Sequence, residues 1–122
     1  MKILNLTQHS ATPDQILAGV VDLPESDRDS LKRLLTFETL PTAAEIVERA
    51  NAIAAMEEGG EYLHAMIGGA PYLMAPLERA LRSVGVYPVY AFSTRESVEQ
   101  AEPDGTVRKI NVFRHAGFVP AV

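Results

Sequence analysis

Three apolar segments in this chain each run straight into a polar or glycine-bearing turn. The turns are Asn5, Leu6, Thr7, Gln8, His9, Ser10; then Gly68, Gly69, Ala70, Pro71, Tyr72; then Ala91, Phe92, Ser93, Thr94, Arg95. Short apolar runs bounded by such punctuation read as buried strands. If the three strands lie parallel in one sheet, all three turns open on the same edge, where open α/β sheets bind ligands. A polar pocket on that edge is therefore expected from spacing alone.

The intervening sequence supplies the helices such a sheet needs. After the strand over residues 3–6, Thr12 can cap a helix, Pro13 suits its first position and Gln15 can complete a capping box. Gly19 ends that helix, residues 20–23 form a second strand, and Pro24 opens a helix or polar turn carrying Leu31, Leu34 and Leu35. Thr42 and Glu45 repeat the capping-box pattern ahead of Ile46, Ala50 and Ile53, which predicts a helix to about Glu58 that stops at Gly59 and Gly60. Residues 62–67 form the next strand. Leu73, Leu77, Ala80, Leu81 and Val84 trace the apolar face of a helix ended by Gly85, with Pro76 marking a kink or the true first turn.

Residues 86–92 read as a further strand, parallel to residues 62–67 because a helix separates them. Beyond Arg95 the pattern changes. Residues 96–102 and 106–114 flank Pro103, Asp104 and Gly105, a turn signal that predicts an antiparallel hairpin with Glu99 and Glu102 facing Arg108 and Lys109. The expected fold is one α/β domain over residues 1–122: a mostly parallel sheet flanked by helices, with residues 95–115 as a C-terminal antiparallel β-hairpin extension.

Composition narrows the function. A chain of 122 residues can bury a core without staples, and the absence of cysteine removes disulfides and a cysteine nucleophile. No apolar run is long enough to span a bilayer, and Met1, Lys2, Ile3 and Leu4 lead into polar sequence too soon for a secretion signal, so a cytoplasmic protein with no membrane partner is expected. A formal charge of −5 without a Lys/Arg cluster argues against long nucleic acid, whose affinity rests on phosphate neutralisation. A small anion remains compatible, because a pocket needs only a few aimed donors.

The candidate residues sit at the three turns, each with an ordinary structural alternative. Thr7, Gln8 and Ser10 can orient a phosphate or sugar and His9 can act as general acid or base; equally, the hydroxyls can cap a turn and His9 can be solvated. Gly68 and Gly69 can admit a ligand close to the backbone, although their spacing is neither a Walker loop nor a dinucleotide fingerprint. Ser93, Thr94 and Arg95 complete the set, with Arg95 either holding phosphate or pairing with Glu96 or Glu99. Tyr72 can stack on a base or pack in the core. Arg114 and His115 read as a solvated strand end, His64 as a structural histidine, and Asp27, Asp29, Glu57 and Glu58 as solvated helix charges. His9, His64 and His115 lack metal-binding spacing, so neither a metal nor another cofactor is expected.

The run from Tyr90 through Arg95 and the segment from Asp104 through His115 resemble small stand-alone CRISPR-associated proteins of the CARF-like, Rossmann-like ring nuclease group; the segment with Leu6 to His9, Thr12 to Gln15, Val20 and Val21 is similar in arrangement. The resemblance implies a role in antiviral defence and a homodimer that binds a cyclic oligoadenylate across its two-fold axis. It also implies metal-independent cleavage, in which a ribose 2'-hydroxyl of the ligand attacks the neighbouring phosphate. On that expectation Thr7, Gln8, Ser10, Ser93 and Thr94 hold the ligand, Gly68 and Gly69 admit it, and His9 and Arg95 are the catalytic candidates. A noncatalytic nucleotide-sensing module and an interaction protein that uses the C-terminal hairpin are the alternatives.

Overall fold

A computed structural model describes residues 1–57 and 60–122. The predicted end of the third helix at Glu58 and Gly59 lies outside the described residues. The chain folds as β1 (Ile3–Asn5), α1 (Pro13–Leu17), β2 (Val20–Asp22), α2 (Glu25–Leu35), α3 (Ala43–Ala55), β3 (His64–Met66), α4 (Pro71–Ser83), β4 (Tyr87–Ala101) and β5 (Val107–Pro120). Among the described residues this is a mixed α/β architecture with a five-stranded sheet in the order β2-β1-β3-β4-β5 and four helices. The first four strands pair in parallel, and β4 and β5 form an antiparallel hairpin.

The period-2 alternation of the strands splits the core in two. Leu4, Leu6, Ala65 and Ile67 join Leu31, Leu35, Ile53, Leu73, Leu77 and Leu81 from α2, α3 and α4 in the main cluster. Ile3, Val20, Met66 and Val89 form a smaller cluster with Ala11 and Phe118 packed against it. β1 is buried along its length, as a central strand covered on two faces must be.

Local signals set the helix boundaries. Thr12 and Gln15 form the reciprocal capping box, and Gly19 turns the chain into β2 with φ +105°. A Cβ at Gly19 would stand 2.1 Å from the Met1 carbonyl oxygen, so only glycine fits both the torsion and the space. Thr42 accepts from the Glu45 amide, but Glu45 does not close the box. Its carboxylate instead takes Arg49 at 2.9 Å, and Arg49 also donates to the Thr36 carbonyl at 2.5 Å and lies 4.2 Å over the Phe37 ring. The last carbonyls of α2 are thereby satisfied from α3. In α4, Pro71 occupies the first turn and Pro76 sits inside a helix that continues around it. Glu57 departs from the expected solvated charge: it is buried and accepts from the Tyr62 amide at 3.0 Å.

The largest departure is in β4. The expected turn at residues 91–95 does not form, and a single strand of 15 residues runs through it, with only a bulge between Phe92 and Ser93. β3 pairs with Tyr87, Pro88 and Val89, so the other twelve residues of β4 pair with β5 alone. At about 3.4 Å per residue they form a ribbon roughly 40 Å long. The hairpin turn is the predicted one: Gly105 has φ +87° and Asp104 Oδ1 accepts from the Thr106 amide at 2.9 Å. Glu99 faces Lys109, and Arg108 reaches Glu102 at 3.3 Å.

Candidate functional site

In the order β2-β1-β3-β4 the chain leaves β1 toward β2 on one side and β3 toward β4 on the other. The divergence opens a crevice at the carboxyl ends of β1 and β3, the usual place for a ligand in an open α/β sheet. A cavity of about 820 Å³ lies there, within the range of small-molecule sites. The β1–α1 loop, the β3–α4 turn and the Tyr90–Ala91 stretch of β4 form its walls.

One side chain organises the first wall. Asn5 is buried at the end of β1 beside Asp22 at the end of β2, its register partner. Asn5 Nδ2 donates to Asp22 Oδ1 and to the His9 carbonyl, both at 2.8 Å. Its Oδ1 accepts from the Thr7 amide at 2.9 Å and the Thr7 hydroxyl at 2.7 Å. Both donors and both acceptor positions of the amide are used. Asp22 also accepts from the Ala11 amide at 3.1 Å, so the loop is tied down at both ends.

This accounting separates structural from available groups. Thr7 is committed to Asn5, while Thr12 and Gln15 are committed to each other in the capping box. Gln8, His9 and Ser10 are exposed on the cavity wall, with Gln8 Nε2 3.4 Å from His9 Nε2. Opposite them, Gly69 has φ +147°, a torsion that favours glycine, although a Cβ there would meet only ordinary contacts. Among the described residues no side chain caps α4, where Pro71 carries no N–H and the Leu73 amide donates to the Ala70 carbonyl at 3.0 Å. Leu35, Met66, Ile67 and Tyr90 give the cavity an apolar floor.

Tyr90 closes the far end. Its hydroxyl donates to Glu78 Oε2 at 2.5 Å, and Arg82 lies 3.8 Å from the same carboxylate. Burial, first, then the Glu78 hydrogen bond and the Glu78 charge push its phenol up from 10.0 to about 12, against a smaller opposing effect of Arg82.

Of the residues expected at the site, Thr7, Gln8, His9, Ser10, Gly68 and Gly69 line the cavity. Ser93, Thr94 and Arg95 do not. They lie on the exposed hairpin ribbon, where the Arg95 guanidinium sits 5.5 Å from the Phe113 ring centre. The reason is the uninterrupted β4, which carries them away from the sheet edge. Tyr72 is also outside, edge-on to Phe37 at 5.2 Å. Arg114 pairs with Glu96 at 3.4 Å and His115 stacks near Phe118 at 4.7 Å. Among the described residues no cluster of His, Cys, Asp or Glu is placed to hold a metal ion.

The sequence places Asn5 in the first turn and Tyr90 in a strand without giving either a role, and it singles out neither Asp22 nor Arg28. The signal for Asn5 and Asp22 was a polar residue ending each of two neighbouring strands; for Arg28, which donates to the Ser10 hydroxyl from α2, the sequence held none.

Over residues 1–119 the chain matches the Uncharacterized protein MJ1673 family, and it belongs to that family. No curated protein and no solved structure matches it.

Two outcomes follow from this geometry. Replacing Asn5 by Ala removes its hydrogen bonds to half-buried Asp22 and Thr7 and to the His9 carbonyl and is expected to cost about 2 kcal/mol, measured by urea unfolding. Asn5→Asp, which keeps the shape but loses both donors and faces Asp22, is expected not to rescue it. For Tyr90 the neutral phenol is favoured in the folded state. Its contribution to stability is therefore full below pH 10.0 and is lost as pH rises toward about 12. Unfolding experiments across that window should show a shallower pH dependence for Tyr90→Phe than for the wild type.

Proposed function

We propose that this member of the MJ1673 family binds a small nucleotide in the crevice between β1 and β3, and that a cyclic oligoadenylate is its ligand. The observation that carries the binding reading is the cavity itself: about 820 Å³ at the point where the connections diverge, with an apolar floor and a polar rim. The floor of Leu35, Met66, Ile67 and Tyr90 suits a base, and the rim of Gln8, His9, Ser10 and the glycine turn suits a ribose and phosphate. The choice of a cyclic oligoadenylate rests on the resemblance of residues 90–95 and 104–115 to CRISPR-associated ring nucleases.

Cleavage, where it occurs, is a transfer within the ligand. The ribose 2'-oxygen attacks phosphorus and gives up its proton, the bond to the 5'-oxygen breaks, and that oxygen takes up a proton, leaving a 2',3'-cyclic phosphate and a 5'-hydroxyl. His9 is the group on the cavity wall suited to moving those protons. Arg95 is displaced from the cavity of its own protomer, so the reading relies on binding first and on His9 for any turnover.

The hairpin supports a second element of the proposal, a homodimer. An isolated two-stranded ribbon is marginal in water, and this one exposes Phe92, Val107 and Phe113. Its charges, Glu96 with Arg114 and Glu99 opposite Lys109, are met across the ribbon itself, so the exposed apolar side chains are what a second copy would cover.

Incubating the protein with cyclic tetraadenylate and a chelator, then resolving the products by chromatography, tests the ligand. Retention is expected, and failure to retain or cleave the ring would remove this ligand. If linear products form, His9→Ala should slow their formation by about 10²–10⁴-fold while leaving retention intact. Replacing residues 96–114 by a short turn should convert a dimer to a folded monomer in light scattering; an intact dimer would place the interface elsewhere.

A further inference from the structure

Among the described residues the cavity wall holds neither an acidic nor a basic side chain apart from His9, yet charged groups stand behind each end of it. At one end Tyr90 holds the Glu78 carboxylate. At the other, the Ser10 hydroxyl accepts from Arg28 Nη2. Arg28 reaches Ser10 because it lies in register with Leu31 and Leu35 on one face of α2: those two are buried, and Leu35 itself lines the cavity.

Arg28 is the arginine that reaches the cavity wall: Arg33 donates to the Ser30 hydroxyl and Arg95 lies over Phe113 on the hairpin. Among the described residues the ion pairs take up Arg49, Arg82, Arg108 and Arg114, and none includes Arg28. The nearest carboxylate to the Ser10 loop, Asp22, already accepts from Asn5 and from the Ala11 amide. Arg28 therefore has one donor on a hydroxyl of the wall and four remaining guanidinium donors without a carboxylate.

We propose that Arg28 is the anion-binding residue of the cavity, receiving a phosphate group beside Ser10 and thereby orienting the ligand with its apolar part toward Tyr90. The inference deepens the nucleotide-binding reading and rests on the same cavity. A phosphate at this end meets a guanidinium, the Ser10 hydroxyl and the Gln8 amide. At the Tyr90 end it would find the Glu78 carboxylate already paired with Arg82 and the Tyr90 hydroxyl already donated to it. An uncommitted cation stands behind one end and not the other, so a phosphorylated ligand has one favoured direction. Ser10 serves as the spacer that holds the guanidinium at the rim.

Inorganic pyrophosphate serves as the probe, because it carries the charge without the base. Titrating it into ¹⁵N-labelled wild type and Arg28→Gln, and following the amides of Ser10, Gly68 and Gly69, measures anion binding at the cavity. The glutamine retains a donor for Ser10 and removes the charge. The expected result is saturable shifts in the wild type, weakened roughly tenfold to a hundredfold in Arg28→Gln, with a flatter salt dependence and an unchanged unfolding midpoint. Equal affinity in the two proteins overturns the assignment, as does an absence of shifts at these amides in the wild type. A parallel titration with cyclic tetraadenylate separates the two readings: if pyrophosphate binding depends on Arg28 while the ring does not bind, the anion site stands and the proposed nucleotide falls.

Discussion

The hydrogen bonds between Asn5 and its neighbours fix the relation between the sheet and the loop that walls the cavity. Asn5 ends β1 and Asp22 ends β2, and parallel register brings them side by side. A buried amide at such a position is tolerable only if all its hydrogen-bonding capacity is met. It is met by Asp22, by Thr7 and by the His9 carbonyl, so the chain leaving β1 must curl back over the strand ends. That curl sets Gln8, His9 and Ser10 on the outer surface of the loop while spending Thr7 on the interior. The polarity of the cavity rim is a consequence of satisfying one buried side chain.

The second constraint is the divergence of connections at β1 and β3. The β3–α4 turn must reverse direction within a few residues, and Gly69 supplies the backbone torsion for it. Since β1 and β3 are neighbours whose chains depart to opposite sides, the cavity opens above their ends. The apolar floor is the top of the main core, where Leu35 and Ile67 emerge from the packed layer of helices and sheet. Core and cavity thus share side chains, which gives the floor the rigidity of the core.

The long hairpin has a different physical character. Only Tyr87, Pro88 and Val89 of β4 pair with β3, and past Val89 β4 has β5 as its single partner. Its order depends on cross-strand pairs: Glu99 opposite Lys109, Arg114 reaching Glu96, and Arg95 over Phe113. Pairs of this kind on an exposed surface contribute little individually. The ribbon therefore presents a large, lightly stabilised surface, which is the physical basis for the proposal that it serves assembly.

Sequence by itself determined what local chemistry can determine. The capping box at Thr12 and Gln15, the stop at Gly19, the apolar stripe of α4 and the turn around Gly105 each depend on residues a few positions apart, and each is where the local rules put it. So is the polar character of residues 7–10. The course of β4 through residues 91–95 was not legible, because serine, threonine and arginine suit an exposed strand as readily as a turn, and their hydrogen-bonding partners lie some twenty residues away in β5. Strand order, the pairing of Asn5 with Asp22, the approach of Arg28 to Ser10 and that of Tyr90 to Glu78 were decided only in the tertiary structure. Each joins separate elements, and its energy depends on the distance and burial that packing alone creates.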